Sequence, residues 1–177
     1  MHFLRKCPCP LWLMKPPAKT DYSNILAAVD FDLFEPPPSE HELNREILEL
    51  SASLAFSDAA SLHIVHAWEA LAETVLLSRG IASPQDTAAY VQKEHESHNK
   101  ELSKLADQLR GWIGKDTYDY LSPQFHLPKG PAKEVIAPMA ARLKADLLVI
   151  GTLASSAISG LIIVNTAEAV LDQLTCS

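Results

Sequence analysis

Short apolar runs recur along this chain, and polar, glycine or proline residues bound each of them. Runs of this kind are typical of parallel strands that are buried on both faces of a sheet. Pro123 and Pro128 place one such run at a sheet edge, because proline cannot donate to a strand ladder. The pattern predicts strands over residues 24–30, 61–68, 120–128 and 147–151.

Amphipathic stretches lie between the runs and predict helices. Ser39 and Glu42 have the spacing of a capping box, with Ser39 as the N-cap of the first helix. Apolar residues then recur at spacings of four, three and four, which is the stripe of a helix with one buried face: Leu43, Ile47, Leu50 and Leu54.

A long helix is expected over residues 85–112, ending at Gly111 and Gly114. Its apolar face comprises Leu102, Leu105, Leu109 and Trp112. A further helix opens after Gly130-Pro131, where proline in the first turn loses no hydrogen bond. The final helix runs to about residue 174.

Strands and helices in alternation predict an α/β fold with a parallel sheet, right-handed crossovers and helices on both faces. In such sheets, ligands bind beyond the carboxyl ends of the strands, where the winding reverses. With a strand order 3-2-1-4, the reversal places Asp30 opposite Gly151. Asp30 then has two interpretations: a carboxylate that binds ribose or adenine, or a cap of the turn after the strand. Ala67 and Trp68, at the end of the second strand, would wall an adenine pocket, or Trp68 would simply be a core or rim residue.

The segment after the last strand is rich in serine, alanine and glycine and leads into a helix. A helix N-terminus behind a small-residue loop favours phosphate, because unpaired N–H groups point at the anion. This loop keeps only Gly151 and Gly160 and lacks the lysine of a P-loop. A phosphate site and a plain strand-to-helix connection therefore both stay open.

Composition narrows the classes of function. The chain of 177 residues has a formal charge of −7 and 47% hydrophobic residues, which argues against binding to nucleic acid or anionic membranes. No apolar run reaches the length of a membrane span, and the N-terminus lacks the features of a signal peptide. We therefore expect a cytoplasmic protein.

Candidate reactive side chains are few. Cys7 and Cys9 have the spacing of neither a zinc knuckle nor a dithiol pair, so no metal site is expected there. His95 and His98 lie three residues apart within a charged run, which favours a solvated helix face over a metal site. No nucleophile and base stand together, so no catalytic residue is assigned.

Four segments together resemble the universal stress protein family over residues 22–177. They are the run NILAAVDF at residues 24–31, HAWE at 66–69, GPAKEVI at 130–136 and the segment 145–168. The resemblance implies a Rossmann-like sheet of order 3-2-1-4-5, usually in a dimer, and some members bind ATP or AMP.

The family's nucleotide motif, laid on this chain, falls on Gly151, Ala154, Val164 and Asn165, with Thr166 next. Only the first glycine is kept, and Val164 carries a branched side chain where backbone would approach phosphate. The resemblance implies nucleotide-binding positions at Asp30, Ala67, Gly151, Asn165 and Thr166. No cofactor is certain, and ATP or AMP remains the candidate.

Within this resemblance, residues 1–21 match the tail of a preceding universal stress domain plus a linker, and the domain at 22–177 lacks its fifth strand. Residues 10–15 are expected to fill that place, in the same chain or in a dimer mate, since an apolar edge strand invites pairing. Two functions follow. One is a dimeric stress-response module without catalysis and with degenerate nucleotide binding. The alternative is an ATP- or AMP-binding regulator that uses the crevice between Asp30 and Gly151.

Overall fold

The computed structural model describes residues 10–14, 21–31, 33, 38–151 and 166–174. Four parallel strands form one sheet of order β3-β2-β1-β4. The strands are β1 (Asn24–Ala28), β2 (Ser61–Val65), β3 (Gln124–His126) and β4 (Leu147–Ile150). The helices are α1 (Pro38–Asp58), α2 (Glu73–Ser78), α3 (Pro84–Ile113), α4 (Lys115–Leu121), α5 (Ala132–Leu143) and α6 (Thr166–Gln173). The predicted α/β fold and strand order are confirmed.

Helices cover both faces of the sheet. Successive strand residues point to opposite sides, so an all-apolar strand presents apolar side chains on both faces, and each face packs against helices. On one face, Ile25 and Ile64 pack with buried residues of α1, α3 and α4, including Leu48 and Leu109. On the other face, Leu26, Val65 and Leu148 pack with α5 and α6 through residues such as Ile136 and Val170. The central strands β1 and β2 are thus buried on both sides, as their continuous apolar runs predict, whereas the edge strands β3 and β4 are only partly buried.

Asp146 fixes the register at the amino ends of β1 and β4. One of its carboxylate oxygens accepts hydrogen bonds from the backbone N–H groups of Ser23 and Asn24, at 2.8 and 3.1 Å. The N–H of Asp146 in turn donates to the carbonyl of Asn24, at 2.8 Å. Ile25 then lies beside Leu147, and Ala28 beside Ile150, which brings the carboxyl ends of both strands level.

Several element boundaries differ from the sequence-based expectation. The helix α1 begins at Pro38, one residue before the predicted N-cap, so the backbone of Ser39 already belongs to the helix. Gly111 lies inside α3, and the chain leaves that helix only at Gly114, where φ is +81°. The strand expected over residues 120–128 was too long: Tyr120 belongs to α4, and only residues 124–126 pair with β2. Its predicted edge position is confirmed.

The expected strand at residues 10–15 is wrong within this chain. Residues 10–14 belong to no strand, and their apolar side chains are 41–64% exposed. Trp12 packs near Tyr22, with ring centroids 5.9 Å apart, at the amino end of β1. In the described part of the chain, β4 therefore pairs only with β1, and an exchange between two chains stays a prediction.

No helix in the described ranges is both long enough and apolar enough to cross a bilayer.

Candidate functional site

Five rings meet at the carboxyl ends of β1 and β2, and we call them the ring cluster: Phe31, His66, Trp68, His95 and His98. Phe31 follows β1, and His66 and Trp68 follow β2, where their side chains leave the sheet. His95 and His98 lie one turn apart on α3. Because the strands end side by side, α3 brings its two imidazoles against the rings that follow them.

His66 is the centre of the cluster, with a side chain only 2% exposed. Its Nδ1 lies 3.3 Å from the carbonyl oxygen of Val29, and its Nε2 lies 2.9 Å from Nδ1 of His98. Because a carbonyl oxygen can only accept, Nδ1 of His66 carries the proton and donates. Nε2 of His66 then accepts from the Nδ1–H of His98. This assignment leaves both imidazoles neutral.

The rings fill the space beyond the strand ends. Phe31 stacks on His66 with centroids 3.7 Å apart and planes 21° apart. Trp68 lies 5.3 Å from the ring of His95 and 5.7 Å from that of His98. Such contacts bury flat apolar area at low cost in side-chain entropy.

Trp68 is 5% exposed, and its indole Nε1 has no hydrogen-bond partner within the described residues. Its backbone is held from both sides, since its N–H donates to the carbonyl of Pro128 and its carbonyl accepts from Gly130. Lys129 lies 5.8 Å above the indole and is paired with Glu73. The ring is therefore fixed by backbone pairing and by packing, without use of its donor.

Burial is the largest influence on the two cluster imidazoles. The pKa of His66 is lowered to about 4 by burial first and by the neighbouring His98 second, while the hydrogen bond to the Val29 carbonyl acts in the opposite direction. Burial also lowers the pKa of His98, while Glu94 and Asp30 act in the opposite direction. Both groups are neutral at pH 7, in agreement with the hydrogen-bond assignment.

Asp30 lies at the rim of the cluster with its side chain 92% exposed. Its carboxylate accepts from the N–H of Phe31 at 3.0 Å, and its Oδ1 lies 3.7 Å from Nδ1 of His66. The buried amide of Asn44 on α1 bridges both backbone groups of Asp30. The bond from Phe31 favours the turn-capping interpretation of Asp30, the Asn44 bonds hold the backbone of the turn, and a role in ligand binding stays a prediction.

Gly151 follows β4 and packs directly against α1. A Cβ added there would lie 2.6 Å from Cδ2 of Leu43, 2.8 Å from its Cγ and 2.9 Å from Cδ1 of Ile47. These distances are below ordinary van der Waals contact. Helix packing is therefore sufficient reason for glycine at this position.

Comparison with known proteins identifies the family. A family model described as the universal stress protein family matches residues 21–177. The chain belongs to the universal stress protein family.

Among curated relatives, Universal stress protein E of Escherichia coli K12 is 28% identical over 177 residues, covering 99% of this chain and 51% of that protein. A solved structure of a functionally unknown protein from Pseudomonas aeruginosa PAO1 is 30% identical with a TM-score of 0.64, covering 99% of this chain and 52% of that chain. A universal stress protein solved in complex with cAMP has a TM-score of 0.57 at 16% identity, covering 89% and 95% of the two chains, which shows a shared fold. The chain spans about half the length of the curated relatives it matches.

The structure brings together three of the five positions that the universal stress motif predicts. Asp30 and Gly151 follow the adjacent strands β1 and β4, and half-buried Ala67 lies between His66 and Trp68. Thr166 is the first residue of α6 and is exposed. Asn165, Ala154 and Val164 lie outside the described residues. Nucleotide binding by these positions is untested.

The sequence missed the residues that fill this universal stress crevice. The sequence pattern assigns no ligand-site role to Phe31 or His66. It predicts a solvated helix face for His98, which is wrong because His98 bonds to His66. The available signal is a histidine near the carboxyl end of a predicted buried strand. Among the described residues, no three histidine, cysteine, aspartate or glutamate side chains are grouped as a metal site.

Proposed function

We propose that this chain is a cytoplasmic, non-catalytic stress-response module that assembles as a homodimer through the β4 edge and does not bind nucleotide in its strand-end crevice. The observation that carries the proposal is the ring cluster, which occupies the carboxyl ends of β1 and β2 with the chain's own side chains. The winding reverses between β1 and β4. The universal stress motif puts the base on the β2 side of that point, beside Asp30 and Ala67, which follow β1 and β2.

The ring cluster competes directly with a base. Phe31 lies at stacking distance on His66, and His98 lies over the same ring edge at 2.9 Å from Nε2. A purine that took the face of His66 now covered by Phe31, or the edge now bonded to His98, would have to displace that ring, which costs its packing or a buried hydrogen bond. Closed packing therefore supports a module without nucleotide.

Gly151 supports the same proposal. In the family motif this glycine is the first of three, and the other two positions hold Ala154 and Val164. The packing of Gly151 against Leu43 and Ile47 accounts for its retention without a phosphate. The one glycine of the motif that this chain keeps thus has a structural cause.

The β4 edge supports assembly. All four residues of β4 are apolar, and Val149 and Ile150 are only half-buried. Edge strands of this kind are stabilised when another strand pairs with them. The exposed residues 10–14 of a second copy have the length and apolar character to do so. A partner other than a second copy of this chain is unassigned.

The alternative function is an ATP- or AMP-binding regulator. The adjacency of Asp30 and Gly151 favours it, because both follow neighbouring strands at the point where the winding reverses. The family also includes the relative solved with cAMP. On this alternative, the ring cluster opens to admit the base.

Native mass spectrometry of the full chain, with and without millimolar ATP, AMP or cAMP and magnesium, tests both functions. We expect a dimer mass with no adenine nucleotide retained or gained, in wild type and in Asp30→Ala alike. A matched control is Asp107→Ala, which removes an exposed carboxylate from the C-terminal half of α3, where no residue of the ring cluster lies.

Two results would contradict the proposal. A saturable nucleotide adduct that Asp30→Ala abolishes and Asp107→Ala preserves would establish the regulator instead. A monomer at every concentration examined would refute assembly through β4, whatever the nucleotide result.

A further inference from the structure

The two halves of α3 are held to the protein in different ways. Between residues 100 and 113, Leu102, Leu105 and Leu109 are buried in the core. Between residues 84 and 99, Thr87 is the only buried residue. A helical segment with few buried apolar contacts opens at a lower free energy than the core does.

Polar and ring contacts hold this N-terminal half of α3. His98 donates to His66 at 2.9 Å, and His95 packs on Trp68. The hydroxyl of Tyr90 lies 3.4 Å from the backbone nitrogen of Ala72, which is a weak contact to the segment before α2. The bond between the two histidines is therefore the main polar link from this half of the helix to the sheet.

We propose that the hydrogen bond between His66 and His98 is an acid-sensitive latch that holds the N-terminal half of α3 over the carboxyl ends of β1 and β2. The proposal does not depend on whether the crevice binds nucleotide, because it concerns only contacts within the chain.

The latch opens with the second proton, and hydrogen-bond chemistry gives the reason. A first proton enters at Nε2 of His98, which leaves the Nδ1–H of His98 free to donate to His66 as before. A second proton must enter at Nε2 of His66, which removes the acceptor and places two cations in contact. Both rings then have only donors facing each other, so the bond breaks.

The charged groups around the two histidines determine the pH at which the latch takes up its second proton and opens. Asp30 lies 3.7 Å from His66 at the end of β1, and Asp30 and Glu94 both favour the charged form of His98. His95 on α3 opposes it. Lys129, on the loop before α5, is paired with Glu73 of α2. The carboxylates stabilise the singly protonated latch, whereas burial resists the second proton.

The direction in which pH changes the open population follows from the difference in the number of protons that the open and closed states bind. In the open state, His66 regains an ordinary pKa of 6.5, while in the closed state burial lowers its pKa to about 4. The open state therefore binds more protons, and opening becomes more favourable as the pH falls from 6.5 towards 4. One proton of difference raises the open population up to about tenfold per pH unit.

Hydrogen–deuterium exchange of the full chain, corrected for intrinsic rates and followed by mass spectrometry from pH 7 to pH 4, tests the latch. We expect the protection of residues 84–99 to fall by on the order of 100-fold. The protection of β1 and of residues 100–113 should fall less than about tenfold, because these segments open only with the core.

Two variants isolate the latch. His66→Gln keeps an oxygen that accepts from His98 and cannot become a cation, so we expect protection of residues 84–99 to persist at pH 4. His98→Ala removes the bond from a half-buried position, so we expect low protection of the same segment already at pH 7. His41→Gln, on the exposed side of α1, is the matched histidine control and should behave as wild type.

The effect of acid on a second histidine pair must be distinguished from its effect on the pair of His66 and His98. His63 on β2 lies 3.1 Å from His126 on β3, and burial lowers the pKa of both. This pair faces α5, so His126→Gln should leave the acid opening of residues 84–99 unchanged. Equal loss of protection in β1 and α3, or a His66→Gln protein that opens as wild type does, would overturn the proposal.

Discussion

Replacing Leu48 by alanine is expected to lower the free energy of unfolding by about 2–5 kcal/mol, among the largest effects of any single truncation in this chain. Leu48 on α1 has no exposed area and packs in the core cluster beneath β1 and β2. Truncation removes buried methyl groups and leaves a cavity that close-packed neighbours cannot fill. Urea denaturation monitored by circular dichroism measures the change directly.

The matched control is Leu50→Ala on the same helix. Leu50 is 39% exposed, so its truncation should cost less than about 1 kcal/mol. Both variants change leucine to alanine in α1, so helix propensity cancels between them. Equal destabilisation by the two would contradict the orientation of α1 on the sheet.

Replacing Gly151 by alanine is expected to destabilise the protein by about 1–3 kcal/mol, because the added Cβ overlaps two side chains of α1. The nearest atoms belong to Leu43 and Ile47, at 2.6 to 2.9 Å. Thermal unfolding should show a clear drop in Tm, whether or not nucleotide is present.

Gly111→Ala is the control for this substitution. A Cβ at Gly111, inside α3, would meet no atom within 4 Å, so alanine there should stabilise the protein by about 0.5–1 kcal/mol. If Gly151→Ala left the Tm unchanged, the packing explanation for this glycine would be wrong, and a ligand-related reason for its retention would regain support.

The sheet could be predicted because each of its strands is marked by a short continuous stretch of the sequence. Each strand is an apolar run with polar ends, and the alternation with helices limits the strand order to very few arrangements. The face of α1 was harder, since the four-residue stripe included exposed Leu50 and omitted Leu48. Several registers of a helix with small residues such as Ala52 and Ala55 are nearly equivalent until the sheet selects one.

The candidate site was predictable only in its position. The reversal of winding located Asp30 and Gly151 correctly, since it depends on strand order alone. The ring cluster joins residues 31, 66 and 98, and no periodicity links positions so far apart in the sequence. The charged run around His98 predicts a helix face exposed to solvent, whereas one side of that helix packs on the ends of the strands.

The clamp made by Asp146 lies at the opposite end of the strands from the ring cluster. These bonds align the two strands at their amino ends, so the loops at the carboxyl ends do not have to set the register. Sequence change at those loops can proceed without misaligning the sheet.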